Sequence, residues 1–149
     1  LWILSGPYGC VRPFHAVEPY RLEMCAKLAV DGARDLYAFW TDKLASVIAP
    51  TGSSTTVVNL ASVEYAKAVL PHLVDNVTTF TCLFGEGVRN GKPIQRSTAS
   101  KKARGSMVRW MAENKLEDAS GLTAFDVGYR HAPELSNKNT LVFLNEQTL

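Results

Sequence analysis

The sequence predicts a mixed α/β fold of the α+β class, formed by a single compact domain. Short runs rich in β-branched residues alternate with stretches whose apolar residues recur at helical spacing. The 149 residues are 46% hydrophobic and 20% charged, which is typical of one globular domain with a substantial core. No repeat, low-complexity tract or linker divides the chain. We therefore treat residues 1–149 as one domain.

The first third of the chain carries two strand-like patterns and one helical pattern. Residues 1–5 are apolar and end at a Gly-Pro turn, which predicts a buried strand. Apolar and polar residues alternate from Tyr20 to Leu28, which predicts a half-buried strand or extended segment. An apolar stripe predicts a helix over 34–49, ending before Pro50.

The middle of the chain predicts a strand, a helix and a hairpin. The β-branched run at 55–60 predicts a strand, and Ser62 can cap a helix that runs to about residue 70. Residues 77–84 form another β-prone run. The Asn-Gly pair at 90–91 indicates a turn, with 92–97 returning as the hairpin partner.

The last third begins with a basic helix. We expect this helix over 100–116, followed by a short helix over 120–124 that Ser120 can cap. Residues 126–131 and 141–145 then predict a closing pair of strands.

The basic helix separates its residues into two faces. One side is apolar and can be buried, with Ala103, Met107, Trp110 and Met111. The other side carries four cations, here called the cationic strip: Lys101, Lys102, Arg104 and Arg109. Gly105 lies within this strip, where a missing side chain lets a phosphate or another backbone come close.

Charge is strongly segregated along the chain. Between Arg89 and Lys115 eight cations face one carboxylate, Glu113, whereas the whole chain carries only +2. The segment is therefore +7 and the rest of the chain −5, an asymmetry that favours a polyanionic partner. Lys92 and Arg96 add to the positive field of the strip. A solvated helix face without a partner is the plainer interpretation.

The sequence predicts no metal site, no cofactor and no membrane span. Three cysteines without CxxC spacing imply no disulfide framework and fit a reducing cytoplasm. Cys10 and His15 are too few ligands for structural zinc. The chain starts within an apolar run and without an initiator Met, so we expect a protein whose N-terminal portion is missing.

Two further places could form a site. Arg21 and Glu23 fall on one face of the alternating segment, where they could flank a ligand or simply form a structural ion pair. Tyr20 falls on the opposite face. Asn59 to Ser62 marks a strand entering a helix N-terminus, which can bind an anion or be an ordinary cap.

Six motifs, in order, resemble the YaaA family of peroxide stress response proteins, also known as DUF328 or UPF0246. They are Leu4-Ser5-Gly6-Pro7-Tyr8-Gly9 with Arg12-Pro13, Pro19-Tyr20-Arg21-Leu22-Glu23-Met24, Asp35-Leu36-Tyr37-Ala38-Phe39-Trp40, Asn59-Leu60-Ala61-Ser62 with Glu64-Tyr65, Lys101-Lys102-Ala103-Arg104-Gly105, and Ala124-Phe125-Asp126.

The resemblance implies a cytoplasmic DNA-binding protein that limits iron-dependent oxidative damage. It also implies the cantaloupe fold, with a positively charged cleft and a helix-hairpin-helix-like element. We expect Arg12, Arg21, Asn59 and Ser62 to line the cleft.

Three functions follow as hypotheses. The first is DNA binding through backbone phosphates, anchored by the cationic strip with Arg96 and Lys92. The second is an enzyme acting on a small anionic or nucleobase-like ligand, with Arg21, Glu23 and Tyr20 as candidate cleft residues. The third is a domain whose basic strip binds an acidic protein.

Overall fold

A computed structural model describes residues 1–52 and 54–148. The strands are β1 (Ile3–Ser5), β2 (Gly9–Val11), β3 (Thr56–Asn59), β4 (Thr78–Gly85), β5 (Val88–Arg89), β6 (Lys92–Pro93), β7 (Tyr129–His131) and β8 (Thr140–Asn145). The α-helices are α1 (Leu36–Trp40), α2 (Lys43–Ile48), α3 (Val63–Ala66) and α4 (Ser97–Glu113). Short 3₁₀ helices cover Leu70–His72, Ala119–Ala124, Pro133–Leu135 and Glu146–Thr148. The predicted mixed α/β class is confirmed.

The chain forms two compact units. The first unit comprises Leu1–Thr55 and Ala61–Thr78. The second unit comprises Thr56–Leu60 and the chain from Thr79 onward.

A four-stranded sheet in the order β3-β4-β8-β7 forms the second unit. β4 and β8 are parallel, with Cys82 opposite Leu141, whereas β7 runs antiparallel to β8. Parallel neighbours cannot be joined by a tight turn and need a crossover connection. Helix α4 lies within this crossover.

The core of the second unit lies beneath α4. Its largest fully buried side chains include Phe84, Phe125, Phe143, Met107 and Leu122. The rings of Phe84 and Phe143 stack with centroids 5.5 Å apart, and Phe125 meets Phe84 edge-on at 6.1 Å. Burying such rings is the main stabilising contribution here.

A β1–β2 hairpin and helices α1 and α2 surround the core of the first unit. Met24 and Leu44 are almost completely buried in it. Gly9 has a φ of +69°, and a Cβ there would come within 2.7 Å of the Trp40 ring. The hairpin can therefore lie this close to Trp40 because residue 9 has no side chain.

The predicted helix over 34–49 is interrupted. It forms α1 and α2, because Thr41 between them has a φ of +42°. Left-handed backbone cannot continue an α-helix. Asp35 caps α1 by accepting a hydrogen bond from the Ala38 N–H at 2.8 Å.

The segment from Tyr20 to Leu28 is irregular and does not form a strand. Its predicted alternation survives in part, since Met24 is buried while Glu23 and Cys25 are exposed. Alternation reports which side chains face the core, whereas a strand also needs a hydrogen-bonding neighbour.

Several predicted boundaries also shift. α4 begins at Ser97 rather than residue 100, and α3 ends at Ala66 rather than near residue 70. Asp118, not Ser120, caps the 3₁₀ helix by accepting the Ser120 N–H at 2.7 Å. The predicted strands over 55–60, 77–84 and 141–145 are confirmed, as are the turn at 90–91 and the closing pair.

Met107 provides a test of the core. The side chain is 0% exposed, so Met107→Ala should lower the free energy of unfolding by about 2–5 kcal/mol through lost burial and a residual cavity. Urea denaturation measures this change. Val127→Ala, in the same unit but 47% exposed, is the control and should change it by less than about 0.5 kcal/mol. An equal loss of unfolding free energy in both variants would contradict the assignment of Met107 to the core.

Candidate functional site

Helix α4 presents its cations to solvent because its other face is buried. Ala103 is 2% and Met107 0% exposed, and the Ser100 hydroxyl donates to the Phe84 carbonyl at 3.4 Å. Trp110 and Met111 pack partly buried against the same core. The apolar side predicted from the helical wheel is therefore confirmed.

The four members of the cationic strip differ in availability. Lys101 and Lys102 are exposed, whereas Arg104 is half-buried and its pKa is lowered by desolvation. Arginine remains charged at neutral pH despite such a shift. Arg109 is exposed, but its Nε donates to Glu113 Oε1 at 2.7 Å, which raises the pKa of Arg109.

Lys101 and Lys102 are therefore the most available cations of the strip. Among residues 1–52 and 54–148, ion pairs within 4.0 Å join only Arg34 to Asp35 and Arg109 to Glu113. A lysine without a carboxylate partner can contact an external anion without first losing an internal one.

The N-terminus of α4 adds to this positive character. Arg96 is the N-cap residue, makes no side-chain capping hydrogen bond, and no acidic residue lies in the first turn. The initial N–H groups of a helix and its dipole favour negative charge. Lys92 and Arg96 are both exposed nearby in sequence. The positive charge at this end of the helix has no acidic residue in the first turn to compensate it, and an anion bound there would do so.

Gly105 is an exposed glycine inside the helix. A Cβ built there would meet nothing within 4 Å, so packing does not require glycine. Glycine also weakens a helix interior relative to alanine. An open, side-chain-free position beside Lys101 and Lys102 is suited to close approach by a ligand.

Gly105→Ala should stabilise the second unit. Because the added methyl enters open space, we expect a gain of about 1 kcal/mol in the free energy of unfolding from helix propensity alone. Urea denaturation measures it. Val63→Ala, at a 77% exposed position in the first unit, is the near-neutral control. A loss of stability in Gly105→Ala would mean that residue 105 is constrained by something other than helix propensity.

A polar network lies where three strands of the sheet in the second unit begin or end. The Tyr129 hydroxyl donates to Glu86 Oε1 at 2.5 Å, and Asn145 Nδ2 donates to Glu86 Oε2 at 3.0 Å. These residues stand at the start of β7, just after β4 and at the end of β8. Burial, followed by the hydrogen bond and charge of Glu86, raises the pKa of Tyr129 to about 12. The network ties three strand ends together.

This network predicts a specific alkaline instability. The pKa of Tyr129 is higher in the folded protein than the ordinary value of 10.0, so its contribution to stability is complete below pH 10 and is lost as pH rises through about 12. Urea denaturation from pH 9 to pH 12 should show this loss. Phenylalanine cannot ionise, so in Tyr129→Phe the free energy of unfolding should fall less steeply between pH 9 and pH 12. An equally steep fall in the variant would contradict the role assigned to Tyr129.

The predicted cleft residues are distributed over both units. Arg12, Arg21 and Ser62 belong to the first unit and Asn59 to the second. Arg12 lies over the Trp2 ring at 3.5 Å, while Asn59 is buried and its Nδ2 donates to Thr81 Oγ1 at 3.2 Å.

Ser62 begins α3 as its N-cap, yet its side chain makes no capping hydrogen bond. Arg21 and Glu23 are both exposed, and they are not within 4.0 Å as an ion pair in the described part of the chain. The structural ion pair considered from the sequence is therefore not formed. Whether these residues share a cleft stays a prediction.

Tyr20 has a structural role within the first unit. Its hydroxyl hydrogen-bonds the buried Ser5 hydroxyl at 2.7 Å, and its ring meets that of Tyr8 edge-on at 5.6 Å. Ser5 also accepts the Tyr8 N–H at 3.2 Å. These contacts hold Tyr20 against the β1–β2 turn.

Sequence reasoning missed one cluster of chemically active side chains. The ligand atoms of Glu23, Cys25 and Glu64 all lie within 4.8 Å of one another. The neighbouring Glu64 carboxylate is the main cause of a raised pKa for the Cys25 thiol. A thiol held protonated in this way is a weak nucleophile. No sequence signal links Glu64 to Cys25, because 39 residues separate them.

Comparison with known proteins identifies the family. The family model described as "Peroxide stress protein YaaA" matches residues 1–135. A UPF0246 protein of Desulfitobacterium hafniense is 43% identical over 145 residues, covering 97% of this chain and 57% of the relative. One from Pediococcus pentosaceus is 43% identical over 148 residues, covering 99% and 58%. One from Laribacter hongkongensis is 44% identical over 148 residues, covering 97% and 57%.

The chain thus spans a little over half the length of these relatives, between 57% and 58% of each. Within the described residues, no helix is long and apolar enough to cross a bilayer. The resemblance found from the six motifs is confirmed by the match over residues 1–135. The chain belongs to the YaaA peroxide stress protein family, also named UPF0246.

Proposed function

We propose that this protein binds DNA in the peroxide stress response, through contacts to backbone phosphates. The observation that carries the proposal is the pair Lys101 and Lys102, exposed and outside any ion pair of the described residues, on a helix whose N-terminus has no capping side chain. Both features favour an approaching anion.

DNA fits this surface better than a single small anion does. The cations from Arg89 to Lys115 are spread along a hairpin and a helix of 17 residues. Such a helix is about 25 Å long, which spans many phosphates of a duplex. Contacts of this kind neutralise phosphates without reading base sequence.

Arg104 and Arg109 have secondary roles in the proposal. Arg104 is half-buried, so only part of its guanidinium can reach a ligand, and Arg109 must share its charge with Glu113. Arg96 and Lys92 extend the positive field beyond the helix N-terminus. We therefore rank Lys101 and Lys102 first among the DNA contacts.

The cellular consequence forms part of the same proposal. The name of the family, peroxide stress protein, supports a role in the response to peroxide. Iron-dependent oxidation damages DNA, and the resemblance implies that the family limits such damage in the cytoplasm. DNA binding by α4 would bring the protein to the molecule at risk.

A salt series tests the phosphate contacts. Gel-shift titrations of a short duplex from 50 to 200 mM salt should give a linear fall of log affinity with log salt concentration. In the double variant Lys101→Ala with Lys102→Ala, the slope should become shallower by about 1.8, because each phosphate contact contributes about 0.9.

The matched control removes the same charge elsewhere. Lys27→Ala with Lys138→Ala also deletes two exposed lysines, and its slope should stay close to that of the wild type. An unchanged slope in the Lys101/Lys102 variant, or equal changes in both variants, would contradict the proposal. Circular dichroism confirms that each variant is folded.

A second function is favoured by one observation in the first unit. Arg21 and Glu23 are exposed on one segment without pairing with each other, so both could engage a small anionic or nucleobase-like ligand. Single nucleotides that bind wild type but not Arg21→Ala, and that do not displace DNA, would support this enzyme-like alternative.

A further inference from the structure

We propose that Glu23, Cys25 and Glu64 form a binding site for one divalent transition-metal cation in the first unit. Their three ligand atoms, one thiol sulfur and two carboxylate oxygens, lie within 4.8 Å of one another. The proposal does not depend on DNA binding, because none of these residues belongs to α4.

The cluster is assembled from two separate parts of the chain and is held in place. Met24, between the two ligands of the irregular segment, is 0% exposed and anchors that segment in the core. The Cys25 N–H donates to Glu64 Oε1 at 3.0 Å. This backbone hydrogen bond ties the irregular segment to α3.

Glu64 is positioned from its other side as well. The Tyr37 hydroxyl donates to the Glu64 backbone carbonyl at 3.1 Å. This contact joins α1 to the first turn of α3, the turn that carries the carboxylate. Of the three ligand side chains, Glu64 is thus the preorganised one, while Glu23 and Cys25 are exposed and can adjust.

The charges of the cluster are not neutralised internally. In the described residues, neither Glu23 nor Glu64 lies within 4.0 Å of a lysine or arginine charge. Two nearby carboxylates repel each other and together attract a cation. Glu23 of the irregular segment and Glu64 of α3 therefore place two negative charges close together, without the basic partner that a structural ion-pair network would have.

The donor set selects the class of metal. Magnesium and calcium prefer oxygen donors only, whereas a thiolate with carboxylates suits zinc and similar borderline cations. Tetrahedral bonds of about 2.0–2.3 Å place ligand atoms roughly 3.3–3.8 Å apart. Small rotamer changes of the exposed Glu23 and Cys25 side chains would bring the ligand atoms, now within 4.8 Å of one another, to these distances. On coordination the Cys25 proton passes to solvent, and the fourth position remains for water.

Cobalt titration of the metal-free full chain tests the site. Co²⁺ is the probe because thiolate ligation gives it a charge-transfer absorption that carboxylates alone do not. We expect the band to grow to one equivalent and to disappear when Zn²⁺ is added in competition. Cys25→Ser should abolish the band, and Glu64→Gln or Glu23→Gln should weaken Co²⁺ affinity at least about tenfold.

Two controls separate the site from general attraction of cations. Cys10→Ser removes another thiol of the first unit, and Glu117→Gln removes an exposed carboxylate of the second unit. Both should bind Co²⁺ like wild type. Glu23→Gln is the safeguard against misfolding, because its exposed side chain can be changed without opening the core.

The outcomes are decisive in either direction. A band that persists in Cys25→Ser, the absence of any band in wild type, or equal losses in Glu117→Gln and Glu64→Gln would overturn the proposal. Gel shifts of the same variants report on DNA binding separately. A failure of the metal site therefore leaves the phosphate-contact proposal untouched, and the reverse also holds.

Discussion

The packing of α4 against the buried aromatic rings of β4 and β8 is the interaction on which the second unit depends. The parallel pairing of these strands requires a connection over the sheet, and α4 provides it. Ala103 and Met107 of this helix are buried against the sheet, and their burial fixes the rotation of the helix about its own axis. That rotation determines which cations reach solvent, so core packing also sets the position of the basic surface.

The helix that carries the cationic strip shows how residues suited to binding an anion can lower local stability. Two features of α4 are unfavourable for an isolated helix: an uncapped N-terminus followed by lysines, and an exposed glycine in its interior. Asp35 and Asp118 show that other helices of this chain do have capping carboxylates. A negatively charged ligand at α4 would supply the charge that the sequence omits there, which is the physical basis for favouring phosphate.

The first unit uses a different principle. Its segment around Met24 is irregular, and it is anchored by the buried Met24 side chain and by the hydrogen bond from the Cys25 N–H to Glu64 of α3. An irregular segment anchored in this way can direct adjacent side chains outward at close spacing. Glu23 and Cys25 thereby meet Glu64, although nothing in regular secondary structure would bring them together.

The sequence by itself determined the mixed α/β class, the strands around residues 56–59 and 140–145, and the amphipathic character of α4. These follow from periodicity and β-branched composition, which act over a few residues. The six motifs also identified the family correctly. Local patterns predicted the boundaries of helices less well. The break at Thr41, for example, comes from its positive φ, which the residue types around it do not indicate.

Only the tertiary structure decided which charged groups are available and which residues meet. Arg109 is paired and Arg104 half-buried, whereas their neighbours Lys101 and Lys102 are exposed. The contacts of Glu86 with Tyr129 and of Glu64 with Cys25 join residues 43 and 39 positions apart. Such contacts depend on how elements pack, and packing is determined by the whole core rather than by any short stretch of sequence.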